Sequence, residues 1–457
     1  MCVTMSVTAA GLDLTGGAED VLDALARARR VINPVTGIVN LLRRQPGYND
    51  EPKFFHYLAR LCNTSLFSDG GRVEQYAGGL SLVKDRAILK ALAEAIERYC
   101  LSIYRESNLI RGSFRSLGDA ALDPKEVVNW SESQLLTGKL SSIRFTDDAK
   151  LNWVQGYSLT EDRPILVPAQ LVYVPYARGR EPLLRLPITT GAASGTSLPG
   201  AIYRGICEVI ERDAFMITYL NRLERSQVTG AHTDDAVLAT MYRAFDRYHL
   251  EVRVMYITTE IPVPVFLSVI VDRSGIGPAV SLGLKASLHP IEAIIGSMEE
   301  ALSCRRWVRD LMLERADASL SDRGGGGISS LEDRALLWSD TCMIRHLGFL
   351  LENGSCKALQ DIPSTASDSA AASQVQVLSM LAQRAMQVVF VDVTTPDVEE
   401  IGFKVVKVVI PELQPLYLDE ARRYLGGDRL YSVPKLLGYR EARTNQAQLN
   451  PIPHPFL

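Results

Sequence analysis

Residues 91–100 read Ala-Leu-Ala-Glu-Ala-Ile-Glu-Arg-Tyr-Cys, and residues 205–214 read Gly-Ile-Cys-Glu-Val-Ile-Glu-Arg-Asp-Ala. Both contain Glu-x-x-Glu-Arg. At about 100° per residue on a helix, Ile88, Leu92, Ala95 and Tyr99 share one stripe, with Glu94, Glu97 and Arg98 opposite. In the second copy Ile202, Ile206 and Val209 form the stripe, with Glu208, Glu211 and Arg212 opposite. The phase of acid to core is the same in both. This predicts two helices that present matching i,i+3 carboxylate pairs. Four carboxylates brought together repel one another unless a cation neutralises them. A hard divalent ion such as Mg2+ prefers oxygen ligands and binds through a few carboxylates plus substrate phosphates. The adjacent arginines suit phosphate oxygens. The pair therefore points to a nucleotide–Mg2+ site, although either copy alone also reads as an ordinary solvated helix face.

The segments ahead of these helices are rich in small residues. Ala77-Gly78-Gly79 reads as a turn before the first. TTGAASGTS at 189–197 reads as a turn before the second, with Pro199 in its first helical turn. Exposed N–H groups at such a start favour an anion. Gly195 and Gly200 have the outer spacing of a Walker A loop, but Ala201-Ile202 stands where Lys-Ser/Thr is required, so this is not a P-loop.

Further out, residues 19–44 read as a helical lead-in interrupted at Asn33-Pro34. Strand-like runs occupy 151–180, and EVRVMYIT with VPVFLSVIV reads as a hairpin. A helix is expected near 290–314, a loop at Gly324–Gly327, and a connector at 365–374 (TASDSAAASQ). VVFVDVT and KVVKVVI follow as strands, and NPIPHPFL closes the chain as a Pro-spaced tail that can be neither helix nor central strand. The fold class is mixed α/β: one large domain with internally duplicated helix-bearing halves. The divisions are 1–70 as a helical lead-in, 71–440 as the catalytic domain and 441–457 as the tail.

The bulk composition is that of a globular protein able to bury its own core. The chain has 457 residues, 47% of them hydrophobic, and a net charge of −4. That balance gives no electrostatic reason for nucleic acid or an anionic membrane as partner. No run of about 18 apolar residues predicts a membrane span, and MCVTMSVTAAGLDLTGG lacks the features of a signal peptide. The seven cysteines are dispersed and contain no Cys-x-x-Cys pair, so they read as small buried thiols in a reducing cytoplasm. No His-Glu-x-x-His or similar pattern suggests zinc.

The paired Glu-x-x-Glu-Arg helices resemble the YcaO family. So do Ala293-Ile294 through Glu300-Ala301…Arg305, which is similar to that family's third helix, and residues 405–434, similar to its closing strand and Pro-rich turn. The ending Asn450-Pro451-Ile452-Pro453-His454-Pro455-Phe456 is similar to the Pro-x-Pro-x-Pro tail of the azoline-forming branch. The resemblance covers residues 70–457. It implies that Glu94, Glu97, Glu208 and Glu211 hold Mg2+. It implies that Arg212 and Arg305 contact ATP phosphates, with Arg98 a further candidate, and that Thr196 stands where the family has a nucleotide-contacting Asn. Pro451, Pro453 and Pro455 would fix the course of a tail that enters the active site and runs on to Leu457. His454 reads as a packing residue and not a base. Gly79, Lys90, Thr190, Gly200 and Ser303 depart from the family pattern around the nucleotide.

The activity implied is ATP-dependent cyclodehydration of a ribosomal precursor peptide, giving thiazoline or oxazoline rings from Cys, Ser or Thr. The implied partners are that peptide, a leader-binding companion protein and a second copy in a homodimer, all cytoplasmic. Thioamide or amidine formation, and a non-catalytic accessory role, are the alternative readings.

Overall fold

The computed structural model describes residues 18–71, 75–136, 145–231, 235–315, 328, 330–365, 367 and 369–457. The first 17 residues and the Gly324–Gly327 run lie outside them. Among the described residues, strands numbered in chain order form three sheets around three long helices.

The first sheet is antiparallel, with β1 (Val39–Arg44), β2 (Phe55–Leu61) and β3 (Tyr76–Ser81) side by side. Two sequence expectations change here. The lead-in is helical only at Ala18–Ala28 and through a short 3-10 turn at Arg29–Val31; VNLLRR is strand, because it finds a partner in Phe55–Leu61 far along the chain. Ala77-Gly78-Gly79 is not a turn but the middle of β3. β2 and β3 pair across residue 70, so the lead-in and the following segment share one sheet.

The second sheet runs β4 (Ile110–Ser113), β5 (Lys150–Ser158), β13 (Val389–Asp392), β14 (Lys404–Val409) and β7 (Ala192–Gly195), with β6 (Arg163–Pro168) paired to β5. Here the small-residue segment before the second acidic helix is again partly strand, since Ala192–Gly195 lies against Lys404–Lys407. The third sheet runs β11 (Val280–Ala286), β10 (Val265–Val271), β9 (Glu251–Tyr256), β8 (Ser226–Thr229) and β12 (Cys356–Ala358). Its β9–β10 pair is the expected hairpin, with Phe266 opposite Tyr256.

The first acidic helix (Lys84–Ser102) packs on β3, β7 and β14 and so joins the first two sheets. The second (Leu198–Leu220) packs on β7, β14 and β11, joining the second and third. A third helix (Pro290–Glu314) packs on β11, β10 and β3, which closes the ring between the third sheet and the first. Local sequence starts the second and third helices: Ser197 accepts from Gly200 N at the former, and Pro199 and Pro290 sit in the opening turns. The connector expected at 365–374 is in its second half the start of another helix, Ala370–Ala382, capped by Ser369. Cys342 and Cys356 are exposed, against the expectation of buried thiols, while Cys100 and Cys207 are buried.

Two glycines let these helices approach their strands closely. A Cβ on Gly79 would lie 2.1 Å from Ala87 O, and one on Gly283 would lie 2.1 Å from Ser297 O. Both clashes are with helix backbone, which cannot swing aside as a side chain can. The substitution Gly283→Ala is expected to push the third helix off β11 and destabilise the protein by about 1–3 kcal/mol. Chemical denaturation reads this directly; an unchanged midpoint would mean that the helix can retreat at no cost.

Candidate functional site

The three long helices turn their acidic faces toward one another. Glu94 accepts from Gly78 N at 2.8 Å and pairs with Arg98 at 2.6 Å. One turn further on, Glu97 is enclosed: burial, then the charges of Glu208 and Glu94, push its pKa up to about 8. Glu208 accepts from Gly191 N at 3.2 Å and is also raised, chiefly by burial. Glu211 is buried and accepts from Ala286 N at 2.9 Å. The third helix adds Glu300, which accepts from Leu284 N and is raised to about 7 by burial.

Arg212 stands among them, its Nη2 at 3.4 Å from Glu208, 3.5 Å from Glu211 and 3.8 Å from Glu300. Its Nε and Nη1 are buried and find no hydrogen-bond partner among the described residues. Two lysines border the acids, Lys285 exposed on β11 and Lys407 buried. Lys285 feels Glu211, Glu208 and Glu300, and these carboxylates hold its ammonium above the usual lysine range. Lys407 donates to Ile188 O at 2.6 Å and Thr190 O at 2.7 Å. Burial drops its pKa to about 8 although Glu208 and Glu97 work against the fall.

The predicted acids thus come together from two helices, and the structure adds three members that sequence reasoning missed: Glu300, Lys285 and Lys407. Lys407 had a legible signal, a lone cation inside the apolar run Val405–Val409. Arg98 is at the rim, shared between Glu94 and Tyr76 O. Thr196 is exposed and lines a polar cavity of about 310 Å³ that is also bordered by Gly200, Tyr203 and Arg204, with Asp20, Asp23 and Arg27 of the first helix opposite. Arg204 in that wall feels the charge of Glu97, so cavity and acid cluster adjoin.

Arg305 is not among the acids just described. Its guanidinium is buried against Asp272 at 2.7 Å, Glu51 at 3.4 Å and Pro278 O at 2.9 Å, beside Arg306 and Arg309, which also reach Glu51. The helical repeat carries it away from Glu300, five positions earlier. Of the departures from the family pattern, Lys90 pairs with Glu299, Thr190 O accepts from Lys407, and Gly200 N caps onto Ser197. Ser303 is half-buried.

The tail runs along the second acidic helix without regular structure. Asn450 N donates to Leu220 O at 2.7 Å, and Pro453 O accepts from Tyr219 Oη at 3.0 Å and Trp338 Nε1 at 2.9 Å. Pro451 is exposed, whereas Pro455 is buried and Leu457 packs beside Val308 and Leu311. His454 is fully buried between Arg334 and Tyr417 O, and burial holds its pKa far below the usual range. It is a packing residue, as expected. Arg212 sits over the ring of Phe456, 4.2 Å from guanidinium carbon to ring centre.

The sequence matches the family described as YcaO cyclodehydratase, ATP- and Mg2+-binding, over residues 78–414. The chain belongs to the YcaO family. A protein of Methanothermobacter thermautotrophicus strain Delta H is 30% identical over 243 residues, covering 52% of this chain and 59% of the relative. Among solved structures, a heterocyclase in complex with substrate and cofactor superposes with a TM-score of 0.78 at 24% identity, covering 96% of this chain and 57% of that one. YcaO from Methanopyrus kandleri bound with AMPPCP and Mg2+ gives 0.60 at 20% identity, covering 88% and 94%. At these identities the structural likenesses establish a shared fold. The chain spans less than two thirds of the length of the first two relatives. The homodimer implied by the resemblance gains no support from them. Among the described residues, no helix is long and apolar enough to cross a membrane.

The family's ligands suit this donor set. All the acids offer oxygen, the preference of Mg2+, and the orphaned nitrogens of Arg212 suit a phosphate. Among the described residues, no three potential ligands converge closely enough to form a ready-made cage.

Two predictions follow from this geometry. Glu97 binds its proton more tightly folded than unfolded, since its pKa is raised from 4.5 to about 8. Its contribution to stability is full below the lower value and lost as pH rises through the upper one. The protein should therefore melt at a lower temperature as pH climbs through that window, and Glu97→Gln should flatten the loss. Second, Arg305→Met removes one partner of a buried cluster and should destabilise by about 3–5 kcal/mol. Nucleotide affinity of the folded protein should hold; a loss of affinity at unchanged stability would return Arg305 to the phosphates.

Proposed function

We propose that this chain is an ATP-dependent peptide cyclodehydratase that forms azoline rings from Cys, Ser or Thr residues of a ribosomal precursor peptide. The observation that carries this reading is Arg212 set among Glu208, Glu211 and Glu300, with Phe456 of the Pro-x-Pro-x-Pro tail stacked beneath it. Family membership supplies the ATP and Mg2+ context. Glu94, Glu97, Glu208 and Glu211 would hold the metal, with Glu300 beside them. Mg2+ bound there would neutralise charge on the phosphate oxygens of ATP. Thr196 and the polar cavity it lines would receive the nucleoside end.

The chemical obstacle is the amide oxygen, a very poor leaving group. The peptide's thiol or hydroxyl loses its proton and bonds to the preceding carbonyl carbon. The oxyanion so formed attacks the γ-phosphorus, and the bond to ADP breaks. The amide nitrogen then gives up its proton, C=N forms, and the C–O bond breaks to release inorganic phosphate carrying the former amide oxygen. No nucleophile of this chain is needed. Its residues hold reactants and offset charge: Arg212 faces the phosphates, and its ring partner Phe456 fixes the guanidinium plane while keeping water off one face. Tyr219 and Trp338 anchor the tail at Pro453, so Pro451, Pro453, Pro455 and Leu457 position Phe456 and are not themselves chemical groups.

Precursor recognition would rest on a leader-binding companion protein, in a cytoplasmic complex. The test incubates the chain with ATP, Mg2+, a Cys/Ser/Thr-rich precursor encoded nearby and any companion. The peptide should lose the mass of one water per ring, matched by phosphate release, and Glu208→Gln should abolish both. An exchange of oxygen for sulfur would instead indicate thioamide formation. An unchanged peptide with intact nucleotide would indicate an accessory subunit.

A further inference from the structure

A second, smaller cavity lies behind Arg212, between β14 and the segment 183–190. It measures about 50 Å³, room for one compact ion or one to two waters. Three cations line it: Arg185, Arg212 and Lys407. Among the described residues, no aspartate or glutamate does. The remainder of the wall is largely aliphatic, with Thr190, Tyr424, Gln170 and Gln414 as its polar members.

Two of these cations, Arg185 and Lys407, make no ion pair among the described residues, whereas Arg212 pairs through Nη2 with Glu208, Glu211 and Glu300. Arg185 donates to Val127 O at 2.6 Å and to Asn129 Oδ1 at 3.0 Å, both neutral acceptors, and among the described residues makes no ion pair with a carboxylate. It lies half-buried in the wall, and burial draws its pKa down to about 10. Among the described residues, Lys407 likewise donates only to two backbone carbonyls and has no carboxylate within ion-pair distance. The two also repel each other, since Arg185 lowers the pKa of Lys407. Arg212 contributes two nitrogens, Nε and Nη1, that no acceptor among the described residues satisfies. Burying charge without a partner costs several kcal/mol per ion, so two cations without an ion pair among the described residues, joined by the two unsatisfied nitrogens of Arg212, make this small space suited to a multivalent anion. Their approach from separate directions, two guanidinium planes and one point charge, fits several oxygens of a tetrahedral ion better than the two of a carboxylate.

We propose that this cavity is an oxyanion pocket for inorganic phosphate, distinct from the position of the nucleotide's own phosphates. The inference rests on the cyclodehydratase reading, in which phosphate leaves from beside Arg212. Arg212 faces the acid cluster on one edge and the pocket on the other, so the released ion has a short path away from the ring. Lys407 couples the two spaces through its influence on Glu97 and Glu208.

Binding of inorganic phosphate to the full chain, by calorimetry or phosphorus NMR, tests this with AMPPCP and Mg2+ saturating. Phosphate is expected to bind alongside the analogue. Arg185→Gln and Lys407→Met should each weaken it at least about tenfold, a loss of 1.4 kcal/mol or more, with AMPPCP affinity retained in Arg185→Gln, and Lys407→Arg should keep the phosphate affinity that Lys407→Met loses. Phosphate that binds with ADP but is excluded by AMPPCP would assign the ion to the nucleotide site and overturn the pocket. Equal phosphate affinity in the wild type and folded variants would also overturn it. If a Gln or Met variant fails to fold, the comparison of AMPPCP with ADP on the wild type still decides. Failure of AMPPCP itself to bind would instead count against the proposed function.

Discussion

Glu97 and Glu208 come from different helices, act on each other's charge from half-buried positions, and are both held above the usual carboxylate range. Everything around them responds to that concentration of negative charge. Arg212 sits among the acids, Lys285 and Lys407 border them, and backbone N–H groups of Gly78, Gly191, Leu284 and Ala286 point at carboxylate oxygens. Backbone donors are useful here because they offset charge without filling the space a ligand needs. The arrangement remains incompletely neutralised, and that is the property a Mg2+–nucleotide site requires.

Such a site can exist only if the helices are held rigidly against their mutual repulsion. Each acidic helix is wedged between two sheets, and the three together close a ring, so no helix can drift outward without unpacking two interfaces. The glycines at 79 and 283 make that wedging tight by admitting helix backbone to strand backbone. Gly79 departs from the family pattern in the sequence, yet in the structure it has a packing reason that a longer side chain would violate unless the helix moved. Lys90, another departure, turns to Glu299 on the third helix and ties two members of the ring together.

The acid pairs at 94/97 and 208/211 were legible because helical periodicity places them opposite the core, and that relation is local. The tail was legible because alternate prolines exclude regular structure. Glu300 was not assigned, since its helix carries two adjacent glutamates and nothing local says which turns inward. The pairing of Arg305 was not legible for a related reason. A buried guanidinium beside Asp272 and Glu51 depends on chain segments far away in sequence, one of them in the stretch expected to be helical. The strands at Val39–Arg44 and Tyr76–Ser81 were missed because edge strands gain their identity from partners, not from their own composition.

The sequence by itself determined the family, the mixed α/β class, and the two acid-bearing helices with their phase, because helix geometry and the spacing of acids are properties of consecutive residues. It also determined an irregular tail. Only the tertiary structure decided which face of the third helix joins the acids, that Phe456 lies under Arg212, that Arg305 is paired elsewhere, and that three cations border a cavity without a lining acid. Those outcomes depend on burial and on charges brought together from distant segments. The energies involved, desolvation and Coulombic attraction in an enclosed space, are set by neighbours that no local pattern names.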